Sequence, residues 1–285
     1  MSKPGSGEFW PAPAKLNLFL QITGRRTDGY HELQTVFQFL DVGDHLWFDV
    51  VDDGVIGLEG GVPDVPHEQD LIVRAAHSLA CHTGCGKGVR VRVDKRLPAG
   101  GGLGGGSSDA ATTLVALNAL WDLGLGVDEL AGLGLRLGAD VPVFVRGFAA
   151  WAEGVGEQLT PMMDLPEPWY LVLNPAVNVS TAGVFSDPRL TRNAPPLKIP
   201  AFVSGAGVNH LQEVVVRRYP EVGNILKWLN KFQPARMTGS GSCVFAACRD
   251  RQQAESILQQ VPAPWTGFVA RGCNRSPLLE RLQQI

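Results

Sequence analysis

Leu97-Pro98-Ala99-Gly100-Gly101-Gly102-Leu103-Gly104-Gly105-Gly106-Ser107-Ser108-Asp109-Ala110-Ala111 runs a glycine-packed loop straight into an alanine-rich stretch with apolar residues at helical spacing. Glycine lets successive backbone N–H groups converge on one point without a Cβ in the way, and the unpaired donors at a helix start add roughly half a positive charge there. The segment therefore reads as an anion cradle whose expected guest is phosphate. Ser107, Ser108 and Asp109 are all suitable N-cap residues, so the helix is predicted to start among them and to run to about Leu123.

Other glycine loops fit less well. A P-loop needs a lysine after its glycines, and none follows here. Gly100-x-Gly102-x-x-Gly105 satisfies the bare dinucleotide fingerprint, which should directly follow a buried parallel strand. Instead Val89 to Asp94 alternates apolar and charged residues, as a half-exposed strand does, and Lys95 to Ala99 intervene. Asp122, the acid at about the right distance, falls near the predicted helix end. The H-R-D and D-F-G strings of protein kinases are absent from the chain. A purely structural glycine turn is the remaining alternative.

The bulk numbers narrow the partners. With 285 residues, 45% hydrophobic and 19% charged, the chain has the composition of a globular protein with room for two modest domains. A net charge of −3 gives no electrostatic footprint for nucleic acid or an anionic membrane, so a small-molecule partner is expected. No apolar run approaches membrane-spanning length, and Met1 to Gly7 has no signal-peptide core, which makes a cytosolic location the expectation. Cys81, Cys85, Cys243, Cys248 and Cys273 form no C-x-x-C pair, and Cys81-His82 with Cys85 lacks a second ligand pair at zinc spacing. Reduced thiols are the reading. No metal motif or sign of oligomeric state is legible.

Along the chain, Pro11 to about Val50 reads as sheet around the turn Gly24-Arg25-Arg26-Thr27-Asp28-Gly29, and Asp70 to Ala80 as a helix ending towards Gly84. A short helix is expected over Val127 to Leu137. After Gly156 proline-rich connectors surround a strand at Trp169 to Leu173, so an N-terminal domain is placed at 1–156 and a C-terminal one at 157–285. The latter should hold helices over Gly207 to Tyr219, Glu221 to Phe232 and Asp250 to Gln260, with strands at Cys243 to Ala247 and Gly267 to Arg271. This alternation suggests an α+β fold of mixed sheet with helices on one face.

Two further residues attract attention. Lys15 sits in Pro13-Ala14-Lys15-Leu16-Asn17-Leu18, where a snorkelling surface lysine is the plain reading. Asp140 sits in Leu137-Gly138-Ala139-Asp140-Val141-Pro142-Val143-Phe144, where helix capping is the plain reading. Taken with the glycine loop and with Met237-Thr238-Gly239-Ser240-Gly241-Ser242-Cys243, these segments resemble, in order, the three motifs of the GHMP kinase family. The string Gly24 to Thr35, with Tyr30-His31-Glu32-Leu33, points to a branch of that family whose substrate is a cytidine diphosphate-linked alcohol.

The resemblance implies an α+β, two-domain GHMP kinase fold. Its N-terminal ATP domain is of the ribosomal-protein-S5-domain-2-like type, and its C-terminal substrate domain is ferredoxin-like, with the last residues packing back on the first domain. It implies ATP with Mg²⁺, Asp140 as general base and Lys15 as the orienting cation. Pro98, Ala99, Gly100, Gly101, Gly102, Leu103, Gly104, Gly105, Gly106, Ser107 and Ser108 would wrap the phosphates, with Ser107 the one guess at a Mg²⁺ contact. Tyr30 and Phe185 would sandwich a cytosine read by His31, and Asn17, Thr181, Gly239 and Ser240 would complete the substrate site. Phosphoryl transfer needs mainly positioning and charge neutralisation, which such a set supplies. A kinase for another small alcohol, homoserine or mevalonate, and a nucleotide-binding module without catalysis are the competing readings. Asp109 and Asp70 stand where the family commonly has Asn. Asp109 is expected to cap the helix or to lean towards Mg²⁺.

Overall fold

The computed structural model describes residues 8–62 and 65–284; the Met1–Gly7 start lies outside them. Two long strands, β1 (Trp10–Arg25) and β2 (His31–Val51), pair antiparallel through the expected turn, with Lys15 opposite Phe39 and Asn17 opposite Phe37. Ala12 to Leu20 is almost continuously buried rather than alternating, because both faces of this part of β1 are covered. Then follow β3 (Ile56–Glu59), α1 (Leu71–Thr83), β4 (Gly88–Asp94), α2 (Gly105–Leu120), α3 (Val127–Leu135), α4 (Val141–Arg146), β5 (Ala150–Glu153) and β6 (Gln158–Pro161). The second half contains β7 (Trp169–Asn174), α5 (Thr181–Phe185), α6 (Ile199–Val203), α7 (His210–Arg218), α8 (Pro220–Leu229), β8 (Ala235–Met237), β9 (Val244–Cys248), α9 (Arg251–Leu258), β10 (Thr266–Cys273) and α10 (Pro277–Leu282).

Local signals explain most boundaries. Asp70 Oδ1 accepts from Ile72 N at 2.9 Å and so caps α1, Ile72, Val73, Ala75, Ala76 and Leu79 form its buried face, and Gly84 ends it in the left-handed region. Pro220 occupies the first position of α8, where its missing N–H costs nothing. The start of α2 corrects the sequence reading. The helix begins at Gly105, with Gly104 at the N-cap position, so Ser107, Ser108 and Asp109 lie within it and none caps it. Gly104 turns the chain at φ +76°, and the amides of Gly105 and Gly106, in the first turn, have no hydrogen-bond acceptor among the described residues. The helix is buried nearly all round because α1, α4 and β1 all pack on it.

Among the described residues the strands join in the order β3-β4-β2-β10-β7-β9-β8, with β1 and β5 also on β2 and β6 on β5. All pairs are antiparallel except β3 with β4. The run β10-β7-β9-β8, with helices between β7 and β8 and α9 between β9 and β10, is the ferredoxin-like arrangement. One hydrophobic core lies between α1–α4 and the β1, β2 and β4 strands, and a second gathers Leu20 and Ile22 with β7, β9, α7, α8 and α9. Between them, Tyr170 Oη donates to Gln38 Oε1 at 2.8 Å and Gln38 Nε2 donates to Asn274 Oδ1 at 2.8 Å.

The C-terminal helix α10 packs against β1 and α2, and fully buried Leu278 belongs to the first core. Leu278→Ala is expected to lower stability by about 2–5 kcal/mol, the range for a leucine truncated in a close-packed core. Urea unfolding measures it, and a loss within error of zero would mean that the last helix is not part of that core.

Candidate active site

A cleft of about 580 Å³ opens where β1, the glycine loop, the turn before α4, α5 and the Gly239–Gly241 loop meet. Lys15 lies at its floor, 2% exposed. Its Nζ donates to Asn17 Oδ1 and to the Gly102 carbonyl at 3.1 Å and lies 3.3 Å from Asp140 Oδ2, with the Phe37 ring centroid 5.4 Å away. A cation removed from water needs such partners, and the snorkelling reading does not hold. Asp140 occupies the N-cap position of α4, yet its side chain makes no capping bond among the described residues. Its carboxylate, 35% exposed, faces the cleft beside the ammonium.

The three motifs brace one another. Lys15 N donates to Leu103 O at 2.9 Å, Cys243 N to Gly101 O at 3.1 Å, and Asn17 N to Thr238 Oγ1 at 2.9 Å. Asn17 Nδ2 reaches Thr35 Oγ1 at 2.9 Å, so this side chain is held between Lys15 and Thr35. The approach leaves no room for side chains in the loop. A Cβ on Gly102, at φ +75°, would stand 2.3 Å from Thr238 O, and one on Gly104 would stand 2.8 Å from Phe144 Cζ and 3.1 Å from Lys15 Cε.

Pro98 to Ser107 line the cleft, whereas Ser108 is fully buried and its Oγ has no hydrogen-bond partner among the described residues. Thr181, Phe185, Gly239 and Ser240 also line the cleft, and the Thr181 and Ser240 hydroxyls are 2.7 Å apart. The structure separates the other two residues assigned to base binding. Tyr30 is 64% exposed and stacks on no other ring among the described residues, while His31 lies against Phe185, with centroids 5.2 Å apart at 34°. Arg192 Nε donates to His31 Nε2 at 3.1 Å.

The sequence reading missed an ionic group behind the loop. Lys95, which lines the cleft, donates to Asp44 Oδ2 and, at 2.6 Å, to Asp109 Oδ2. Asp44 Oδ1 accepts from Arg96 N at 2.6 Å and Leu97 N at 2.8 Å, which fixes the chain as it enters the loop. Burial opposes the charge on Lys95, but the two carboxylates outweigh it and raise the pKa. Burial pushes the Asp109 carboxyl up to about 7; Lys95 opposes the shift, and Asp44 and Asp70 add to it. With two carboxylates to one ammonium, Asp109 is the group that takes up a proton. No motif could have signalled this, since Asp44 and Lys95 lie 51 positions apart.

Because the folded pKa of Asp109 lies above its unfolded value, the native state binds the extra proton between about pH 4 and 7 and loses stability as pH rises through that window. Asp109→Asn is therefore expected to raise stability at pH 8 by roughly 2–3 kcal/mol more than it does at pH 5. Melting temperatures at the two pH values test this; an equal change at both would show that the Asp109 charge is not under strain.

The architecture and the braced glycine loop define a class, and the family comparison agrees. The pattern of the GHMP kinases N terminal domain matches residues 70–148, and that of the GHMP kinases C terminal matches residues 190–267. The chain belongs to the GHMP kinase family. Among its relatives, a 4-diphosphocytidyl-2-C-methyl-D-erythritol kinase of Pseudomonas syringae pv. syringae is 59% identical over 273 residues, covering 96% of either chain. One of the same name from Nitrosococcus oceani is 58% identical over 276 residues, covering 97% of this chain and 98% of that one. A crystal structure of 4-(cytidine 5'-diphospho)-2C-methyl-D-erythritol kinase superposes with a TM-score of 0.82 at 34% identity, covering 93% of this chain and 99% of the other. A mevalonate kinase structure shares the fold at 14% identity and a TM-score of 0.69.

Proposed function

We propose that this chain is the ATP-dependent kinase that phosphorylates the 2-hydroxyl of 4-diphosphocytidyl-2-C-methyl-D-erythritol, acting in the cytosol on the non-mevalonate route to isoprenoid precursors. The observation that carries the chemistry is the Lys15–Asp140 pair facing the amide-lined loop across one cleft. The relatives of that name, similar along nearly the whole chain, support the substrate.

Each residue has a distinct task. The amides of the glycine loop and of the first turn of α2 hold the phosphates, with the helix dipole adding positive potential. Asp140 accepts the proton of the substrate hydroxyl as its oxygen bonds to the terminal phosphorus of ATP and the bond to ADP breaks. Lys15, held by Asn17 and Gly102, orients that carboxylate and stabilises the developing alkoxide. No group of three or more His, Cys, Asp or Glu side chains is placed to hold a metal among the described residues. Of the groups lining the cleft, the Ser107 hydroxyl is the one that would contact a Mg²⁺ brought in with ATP. Such an ion would neutralise phosphate oxygen charge. Phe185 forms one face of the base pocket with His31 beside it at the base edge, and exposed Tyr30 supplies the second aromatic face.

The deciding assay measures ADP release with Mg-ATP on the cytidylyl alcohol, on homoserine and on mevalonate. Turnover confined to the cytidylyl alcohol is expected. Turnover on another alcohol would discard the cytosine reading, and ATP binding without ADP release from any acceptor would leave a nucleotide-binding module. Asp140→Asn should lower kcat roughly 10²–10⁴-fold with ATP affinity kept; an unchanged kcat removes Asp140 as base. Tyr30→Ala should raise KM for the cytidylyl alcohol and leave KM for ATP in place, and equal shifts in both would count against base stacking.

A further inference from the structure

Arg192 lies on the connector after α5 and has no part in the proposed phosphoryl transfer, yet its guanidinium makes four hydrogen bonds. Nε donates to His31 Nε2 at 3.1 Å and Nη1 to Leu190 O at 3.1 Å. Nη2 donates to Phe185 O at 3.1 Å and to Asp187 O at 2.7 Å. A guanidinium has donors only, so the imidazole nitrogen facing it must be the one with the lone pair. That assigns the hydrogen of neutral His31 to Nδ1, to which no protein group is bonded among the described residues. Burial, then Arg192 and Arg25, hold the imidazole pKa below its ordinary value, which keeps the ring neutral. The same guanidinium holds the backbone of Phe185, the ring that His31 lies against. One side chain thus sets both the stacking surface and the hydrogen-bonding pole of the pocket.

We propose that Arg192 is the positioning residue for base specificity: by fixing His31 as an Nδ1–H donor beside Phe185, it selects a pyrimidine whose N3 accepts a hydrogen bond. This rests on the cytosine reading above. Cytosine N3 is an acceptor; uracil N3 carries a hydrogen, so two donors would face each other and one would be left unpaired. With Arg192 removed, His31 is free to place its hydrogen on either nitrogen, and the Nδ1 lone pair can then accept from uracil N3–H.

Two measurements test it. In the unmodified full-length protein, ¹⁵N NMR of labelled histidine, with the His31 signal assigned by its absence in His31→Gln, should show Nδ1 protonated and Nε2 bare at pH 7. An Nε2–H tautomer or an imidazolium at His31 overturns the inference whatever the activity. In Arg192→Ala, KM for the cytidylyl alcohol should rise and its kcat/KM advantage over the uridylyl analogue should fall by roughly ten- to a hundredfold, with KM for ATP unchanged. Arg192→Lys keeps the charge without the planar fork and should not restore the advantage. An unchanged cytosine-to-uracil ratio in Arg192→Ala, with turnover retained, removes the inference alone. No turnover of the cytidylyl alcohol by the unmodified protein removes the functional reading beneath it.

Discussion

An ammonium buried in the middle of a strand is tolerated only if the surrounding chain supplies oxygen partners at every side it presents, and Lys15 sets that requirement here. Asn17, two residues on and therefore on the same face of β1, provides one oxygen. Gly102 provides a carbonyl, which draws the glycine loop down on the strand, and Asp140 provides the opposing charge. Because Lys15 also donates its backbone N–H to Leu103 O, both ends of the residue are tied to the loop. The glycine loop and the turn before α4 are thus brought to a single point by the needs of one cation.

That convergence dictates the glycines. With Thr238 O standing where a Cβ of Gly102 would go, and Phe144 and Lys15 where that of Gly104 would go, the loop lies against the third motif and against α4 without side-chain spacers. The loop lines the cleft, and two lysines reach the same cleft from elsewhere in the chain. Lys15 comes from β1 and Lys95 from the residues just after β4, each already paired with carboxylate, so the cleft is not a bare concentration of positive charge.

The legible parts of the fold were those with local causes. The apolar spacing after Asp70, the alternation at β4 and the continuous apolar run of β7 each read correctly, because capping, half-burial and full burial leave marks within a few residues. The start of α2 did not. Serines after a glycine run look like caps, but Gly105 and Gly106 accept helical angles and the turn falls at Gly104. The site divided the same way. Lys15, Asp140 and the loop were visible as motifs, and the ferredoxin-like half came from family resemblance rather than from any residue pattern. Tyr30 and His31 are adjacent, yet neighbours entering a strand point to opposite sides, and His31 alone reaches Phe185. Asp44 and Lys95 act through groups 14 to 53 positions away and Arg192 reaches His31 across 161, separations that a single chain's spacing does not record.

The seam between the two cores bears on how such a site closes. Phe39 of β2 pairs on one side with Lys15 of β1 and on the other with Cys273 of β10, so the sheet passes unbroken beneath the cleft floor. Buried bonds from Gln38 to Tyr170 and Asn274 pin the two halves at the next residue. A hinge there would break ladder bonds and leave buried amides unpaired, at a cost of about 1–3 kcal/mol for each group. At the rim, Tyr30, Thr181 and Ser240 are exposed or only partly covered, whereas Val184 anchors α5 in the second core. The floor that carries Lys15 is therefore held both by the ladder bonds of β1, β2 and β10 and by the buried Gln38 contacts.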